Sequence, residues 1–261
     1  QENKRVLAFW KFDEGKGSQC MDLKADGKKS AIIGMDPKKA WDKGVGFGKV
    51  SSVTLESQAH IQTSFTEDLQ GSNSIALWIK TTSGGLLLSK VAGKAGQLLP
   101  GSRMVQVTPT GEVKLTLIGS GKETILSEAK VNDGKWHHVA WTVREQADEG
   151  MRVSLVAQHC LYIDSKLQGQ LDLKRAYDSE PAAGPLLIGK AIKYSKDEKP
   201  VTISGFTGAV DNLRIYNFPL NEKQISGFNL VGRKTSPFVI TSTPKETIHV
   251  GERFDYAIKF T

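Results

Sequence analysis

The sequence predicts an all-β protein, a two-sheet antiparallel β-sandwich of the jelly-roll kind. Three observations predict it. Short segments of alternating or continuous apolar residues follow one another along most of the chain. Gly and Pro together number 35 of 261 residues and recur between those segments. These turn formers separate most segments by about 8–20 residues, the rhythm of many short strands rather than of long helices.

The segments come in order. RVLAFWKF, at 5–12, is apolar at both parities and predicts a strand covered on both sides. SVTLES (52–57) and HIQTSF (60–65) follow, and then SNSIALWIKT (72–81), where Ile75, Leu77 and Ile79 alternate. GLLLSKV (85–91) precedes RMVQVTPTGEVKLTLIG (103–119), whose two alternating arms meet at Thr110-Gly111. HHVAWTV (137–143), MRVSLVAQHCLYIDSKLQG (151–169), GPLLIGKA (184–191) and GFTGAVDNLRIYN (205–217) complete the series. One helical turn is expected after them: Asn221 stands at the N-cap with Gln224 three residues on, as in a capping box, and Leu220, Ile225 and Phe228 face the core.

After Gly232 the composition changes. A polar linker containing Pro237 leads to two strand-like pieces, FVITS and FDYAIKF. Residues 1–232 are therefore expected to form the sandwich, and 233–261 a linker with an incomplete second domain or an extra edge strand, since so short a tail does not bury its own sandwich core.

Composition excludes several function classes. Hydrophobic residues make up 39% and charged residues 24%, an ordinary globular balance. No apolar run approaches the roughly 20 residues of a membrane helix. The net charge of +7 comes from scattered basic residues interrupted by acids, as in KYSKDEK, so no nucleic-acid face is expected. The chain opens on Gln1 rather than Met, which suggests an upstream secretion signal and a secreted, periplasmic or cell-surface location. Cys20 and Cys160 leave two readings open, a disulfide in an oxidising compartment or two buried thiols.

FWKFDEGKG with CMDLKADGKKSAIIG, Trp41 with GVGFG and VTLES, SIALWIKT, VNDGKWHHVAWTV, LYIDSKLQG, LLIGK and FTGAVDNLRIYNFPLNEKQI occur in this order. Together they resemble laminin-G-like, concanavalin-A-like lectin/glucanase jelly-roll domains over roughly residues 5–230. The tail, ITSTPKETIHVGERFDYAIKF, resembles the start of a bacterial immunoglobulin-like domain. The first resemblance implies two packed antiparallel sheets but no single activity, because the fold carries sugar binders, protein binders and glycosidases alike.

Candidate sites follow. Trp136, His137 and His138 crowd a turn, and alternation puts His137 on the apolar face with Val139, Trp141 and Val143, as packing or turn bracing. The Glu-x-Asp-x-x-Glu strand of sandwich glycosidases is absent. Asp211 shares parity with Leu213 and Ile215 and is expected to point inward, where a carboxylate needs loop amides or a cation. Many similar domains hold a structural Ca²⁺ through an acidic first loop, which the resemblance maps onto Asp22 and Asp26 beside Asp211. Trp41, Tyr177 and Tyr194 lie in loop-like contexts where a sugar ring stacks. The expected function is a non-catalytic module that binds a glycan or an extracellular protein. A glycosidase-related domain and a structural spacer of an adhesin are the alternatives.

Overall fold

The computed structural model describes residues 5–25, 27–45, 51–69, 71–90, 101–118, 122–147, 154–176, 184–194, 200–203 and 205–232. In chain order the strands are β1 (Val6–Trp10), β2 (Gln19–Met21), β3 (Lys29–Ile33), β4 (Trp41–Lys43), β5 (Ser51–Leu55) and β6 (His60–Gln62). Then come β7 (Asn73–Lys80), β8 (Gly85–Lys90), β9 (Arg103–Val107), β10 (Glu112–Ile118), β11 (Lys122–Lys130) and β12 (Trp136–Ala147). The series ends with β13 (Ser154–Ile163), β14 (Lys166–Ala176), β15 (Leu187–Ile188), β16 (Ala191–Tyr194), β17 (Pro200–Ile203), β18 (Gly208–Tyr216) and the helix α1 (Glu222–Gly232).

Two eight-stranded antiparallel sheets form the sandwich. The first runs β14-β13-β12-β7-β18-β5-β4, and the second runs β11-β10-β9-β8-β15-β6-β3-β2. β1 also pairs with β18. The two partners divide β18 between them: β5 pairs with Gly208–Val210, and β1 with Leu213–Tyr216. A bulge between Asp211 and Arg214 separates the halves, with Asn212 left-handed at φ +50°. β16 and β17 make a separate hairpin.

The inward faces bury one continuous core that includes Trp10, Phe12, Leu55, Ile61, Leu77, Ile79, Leu115, Trp141, Leu161 and Leu213. Fully burying each of the aliphatic members contributes about 1.5–3 kcal/mol. A second cluster lies on the outer face of the first sheet beneath α1: Ala76, Ala140, Cys160, Tyr162, Tyr216, Leu220 and Ile225. The unbroken apolar run of β7 now has its reason, since Asn73–Ile79 are buried with core on one face and the α1 cluster on the other.

Local signals behave as the sequence predicts at both ends of α1's first turn. The Asn221 amide donates to Gln224 Oε1 at 3.0 Å, and the Gln224 amide donates to Asn221 Oδ1 at 2.9 Å, a reciprocal capping box. One segment behaves differently. The stretch 151–169 holds a hairpin, because Asp164 and Ser165 both take positive φ, 49° and 69°, and turn β13 back into β14. That is the two-residue connection with both centres left-handed, here without the usual Asn-Gly. The predicted second domain at 233–261 lies outside the described residues.

Candidate functional site

The bulge of β18 is the first place where chemistry-bearing groups meet. Val210 pairs with Ile79 and faces the core, whereas Asp211 pairs with Trp78 and takes the opposite side. The bulge between Asp211 and Arg214 resets the alternation, so Asp211 does not share the side of Leu213 as its parity predicts. Asp211 is nonetheless 0% exposed. The segment at Gly44–Val45 covers it, and the Val45 amide donates to Asp211 Oδ2 at 2.6 Å. Asn212 Nδ2 donates to Oδ1 at 3.0 Å. Burial raises the carboxyl to about 7; the Val45 and Asn212 hydrogen bonds oppose the rise, and the charge of Asp13 adds to it.

At the same end, the Trp-His-His cluster closes a corner. Val139, Trp141 and Val143 enter the core while His138 turns to the α1 side, as alternation requires. His137 Nδ1 meets Asp164 Oδ2 at 2.7 Å and Nε2 meets Asp133 Oδ1 at 3.0 Å. Asp164 Oδ1 also accepts the His138 amide at 2.8 Å. The clasp ties the 132–135 turn to the β13–β14 hairpin. The sequence shows no carboxylate adjacent to His137 other than Asp133 in the preceding turn, and the hairpin at 164–165, unmarked by Asn-Gly, is what delivers Asp164. His137 is raised, foremost by its hydrogen bond to Asp164. His138 is lowered to about 4 by burial, with its ring between Trp78 and Phe228 at centroid distances of 5.2 and 5.5 Å.

The other expected residues divide. Asp22 is buried and its Oδ1 accepts from the amides of Phe9 and Lys24 at 3.0 and 2.9 Å, bracing its own loop. Asp26 and Tyr177 lie outside the described residues, and of Tyr194 only the backbone, in β16, is described. Trp41 is half-buried against the core on edge strand β4, its indole N–H donating to the Gly17 carbonyl at 2.8 Å. Cys20 and Cys160 are free thiols. Cys20 belongs to the central core and Cys160 to the cluster beneath α1, so the disulfide reading falls because the first sheet stands between them. Among the described residues, no group of three or more His, Cys, Asp or Glu side chains is placed to hold a metal ion.

A cleft opens at the opposite end of the first sheet, six residues along β18 from Asp211 and so about 20 Å away. It has a volume of about 430 Å³ and is lined by Arg5 and Leu7, the loop Glu67–Leu69 and Gly71–Asn73, Glu145 and Asn217. The sequence carries no signal for it, because its residues come from four separate segments of no distinctive composition.

The comparisons fit this architecture. A laminin-G-type family described as the concanavalin A-like lectin/glucanases superfamily matches residues 54–226. No curated protein sequence matches. Among solved structures, the chain is similar to domain 4 of AbnA, a GH43 extracellular arabinanase from Geobacillus stearothermophilus in complex with arabinotriose. The TM-score is 0.56 at 17% identity, covering 87% of this chain and all of that domain. It is also similar to the receptor-binding domain of botulinum neurotoxin type G, at TM-score 0.55 and 13% identity, covering 87% of this chain. The binding domain of Paraclostridial mosquitocidal protein 1 follows at 0.52 and 11%, covering 86% of this chain. The chain spans about half the length of the two toxin domains, 51% of each.

Proposed function

The chain belongs to the concanavalin A-like lectin/glucanase superfamily, and from that premise we propose that it is a non-catalytic glycan-binding module of an exported protein. One observation carries the non-catalytic part. The acids and imidazole gathered around the β18 bulge and the neighbouring turns are engaged by the frame: Asp211 by Val45, Asp22 by Phe9 and Lys24, and His137 by Asp133 and Asp164. The glycan part draws support from the arabinotriose complex of the arabinanase domain, whose whole length aligns with this chain. Titration calorimetry against neutral and acidic oligosaccharides, run beside hydrolysis assays on β-glucans and galactans, tests both parts. Binding without turnover is expected. Turnover favours the glycosidase-related alternative, tight binding of an extracellular protein instead of any glycan favours a protein-binding module, and no binding at all favours the spacer.

We further propose a structural Ca²⁺ at Asp211. Its buried carboxylate has Asp13 as a like-charged neighbour, and a cation would offset both the burial and the repulsion. Asp13 thus takes the place in this arrangement expected of Asp22, which is committed to its own loop. When bound, the ion would hold the N-terminal loops to the last strand. A rise in melting temperature on adding Ca²⁺, reversed by EDTA and absent in Asp211→Asn, is the expected result; an unchanged melting temperature removes the proposal.

A further inference from the structure

The cleft at the far end of the first sheet is built as a preformed polar seat. Three sets of ties fix its walls. The Arg5 amide donates to Asn217 Oδ1 at 2.8 Å while the Asn217 amide donates to the Arg5 carbonyl at 3.2 Å. The Gly71 amide donates to Glu145 Oε1 at 3.2 Å while the Glu145 amide donates to Ser72 Oγ at 3.0 Å. Asn73 Nδ2 donates to the carbonyls of Leu69 and Gly71, both at 2.8 Å. The lead-in to β1 is thus tied to the end of β18, and Gly71–Asn73 to Leu69 and the end of β12, before any ligand arrives, which lowers the ordering cost of binding.

Asn73 lies in this lining, 2% exposed, and its Oδ1 has no hydrogen-bond partner among the described residues. A buried acceptor left without a donor is costly; Oδ1 is closed to solvent as the cleft stands, so a ligand's donor reaches it only with a small shift of the lining.

We infer that this cleft is a saccharide seat, and that it takes an uncharged, hydroxyl-rich sugar. The inference rests on the glycan-binding reading above and names the site and ligand class for it. Three features point there. The volume of about 430 Å³ falls within the range of small-molecule sites, roughly 300–1,000 Å³. The polar lining consists of guanidinium, carboxylate, carboxamide and hydroxyl groups from Arg5, Glu67, Asp68, Ser72, Asn73, Glu145 and Asn217. Planar groups of this kind meet pairs of neighbouring hydroxyls with two parallel hydrogen bonds. Among the described residues the apolar wall is Leu7 and Leu69, and none of the described lining residues is aromatic. The sugar is therefore held through its hydroxyls and not by stacking on a ring face.

Charge sets the selectivity. Among the described lining residues, Glu67, Asp68 and Glu145 face the cleft against one cation, Arg5. Lys90 lies near Asp68 and Glu67 but is 1% exposed, with its ammonium on the Gly184 carbonyl, beyond a ligand's reach. An anionic sugar would meet like charge there and is rejected.

The test is a ¹⁵N-amide NMR titration of the whole chain with arabinotriose and lactose as neutral probes and 3′-sialyllactose as the anionic one. At least one neutral probe should shift the amides of Gly71, Ser72, Glu145 and Asn217, and sialyllactose should not. Arg5→Ala and Glu67→Gln, both on the rim, should each weaken that binding by about tenfold, one lost charged hydrogen bond, with the rest of the spectrum unchanged. A neutral probe that shifts amides around Trp41 instead overturns the seat and leaves the glycan-binding reading standing. No binding by any saccharide overturns both. Sialyllactose binding in the cleft as tightly as the neutral sugars overturns the charge selectivity.

Discussion

Asp211 on β18 accepts a 2.6 Å hydrogen bond from the amide of Val45, a residue 166 positions earlier in the chain. The bond pins the loop after β4 over the bulge of β18 and accounts for a carboxylate with no exposure.

Removing this acceptor should destabilise the fold. Asp211→Ala leaves the Val45 amide buried and unpaired, a loss of about 1–3 kcal/mol. Asp211→Asn keeps an oxygen for Val45 and should lose less. The pH dependence follows from the raised carboxyl, about 7 folded against 3.8 in the unfolded chain. The folded state holds the extra proton between those values, so the contribution is full below about 4 and is lost as pH rises through 7. Thermal melts in EDTA should therefore show Asp211→Asn gaining on the wild type from pH 5 to pH 8, with the two pH values taken as either side of the folded value.

Gly44 lies in the same knot. A Cβ there would stand 2.1 Å from the Ser51 carbonyl oxygen and 2.7 Å from Asp211 Oδ2. Backbone does not yield to that overlap as a side-chain tip would. Gly44→Ala should cost about 1–3 kcal/mol or more by overpacking, read as a lower urea midpoint with an unchanged slope.

The adjacent histidines should titrate in opposite senses. His137, raised by Asp164, contributes stability that is full below 6.5 and lost as pH rises through its folded value. His138 is lowered to about 4 by burial, so its contribution is full above 6.5 and lost as pH falls towards 4. Imidazole proton shifts in NMR should place one midpoint above 6.5 and the other near 4. His137→Gln should lower the melting temperature more at pH 5 than at pH 8, two points that straddle the unfolded value of 6.5; equal losses would remove the clasp's charge from the account.

Both thiols should react only on unfolding. Cys20 and Cys160 are buried in separate clusters, and burial pushes both thiols up, away from the reactive thiolate. A thiol reagent should count two groups in denaturant without reductant and modify them slowly in the native protein.

Much of the frame was legible because it rests on local rules. Alternation placed Val139, Trp141 and Val143 in the core, and Asn221 with Gln224 marked the start of α1. Other features were legible only in part. Asp211 was foreseen as buried, yet the bulge put it on the side of Trp78 rather than that of Leu213. Short edge strands such as β2 and β4 have three residues each, too few to show a period.

The sequence by itself determined the fold class, the position of most strands and the helix cap, since period-two patterning, turn residues and capping act between neighbours along the chain. Tertiary structure alone decided the rest. It brought Asp164 to His137 across 27 residues, Val45 to Asp211 across 166, and Glu145 to Gly71 across 74. These pairs depend on which strands lie side by side and on a bulge and a hairpin that shift the register. No local propensity encodes them, because the free energy that selects them is the burial of the two sheet faces against each other, a property of the whole chain.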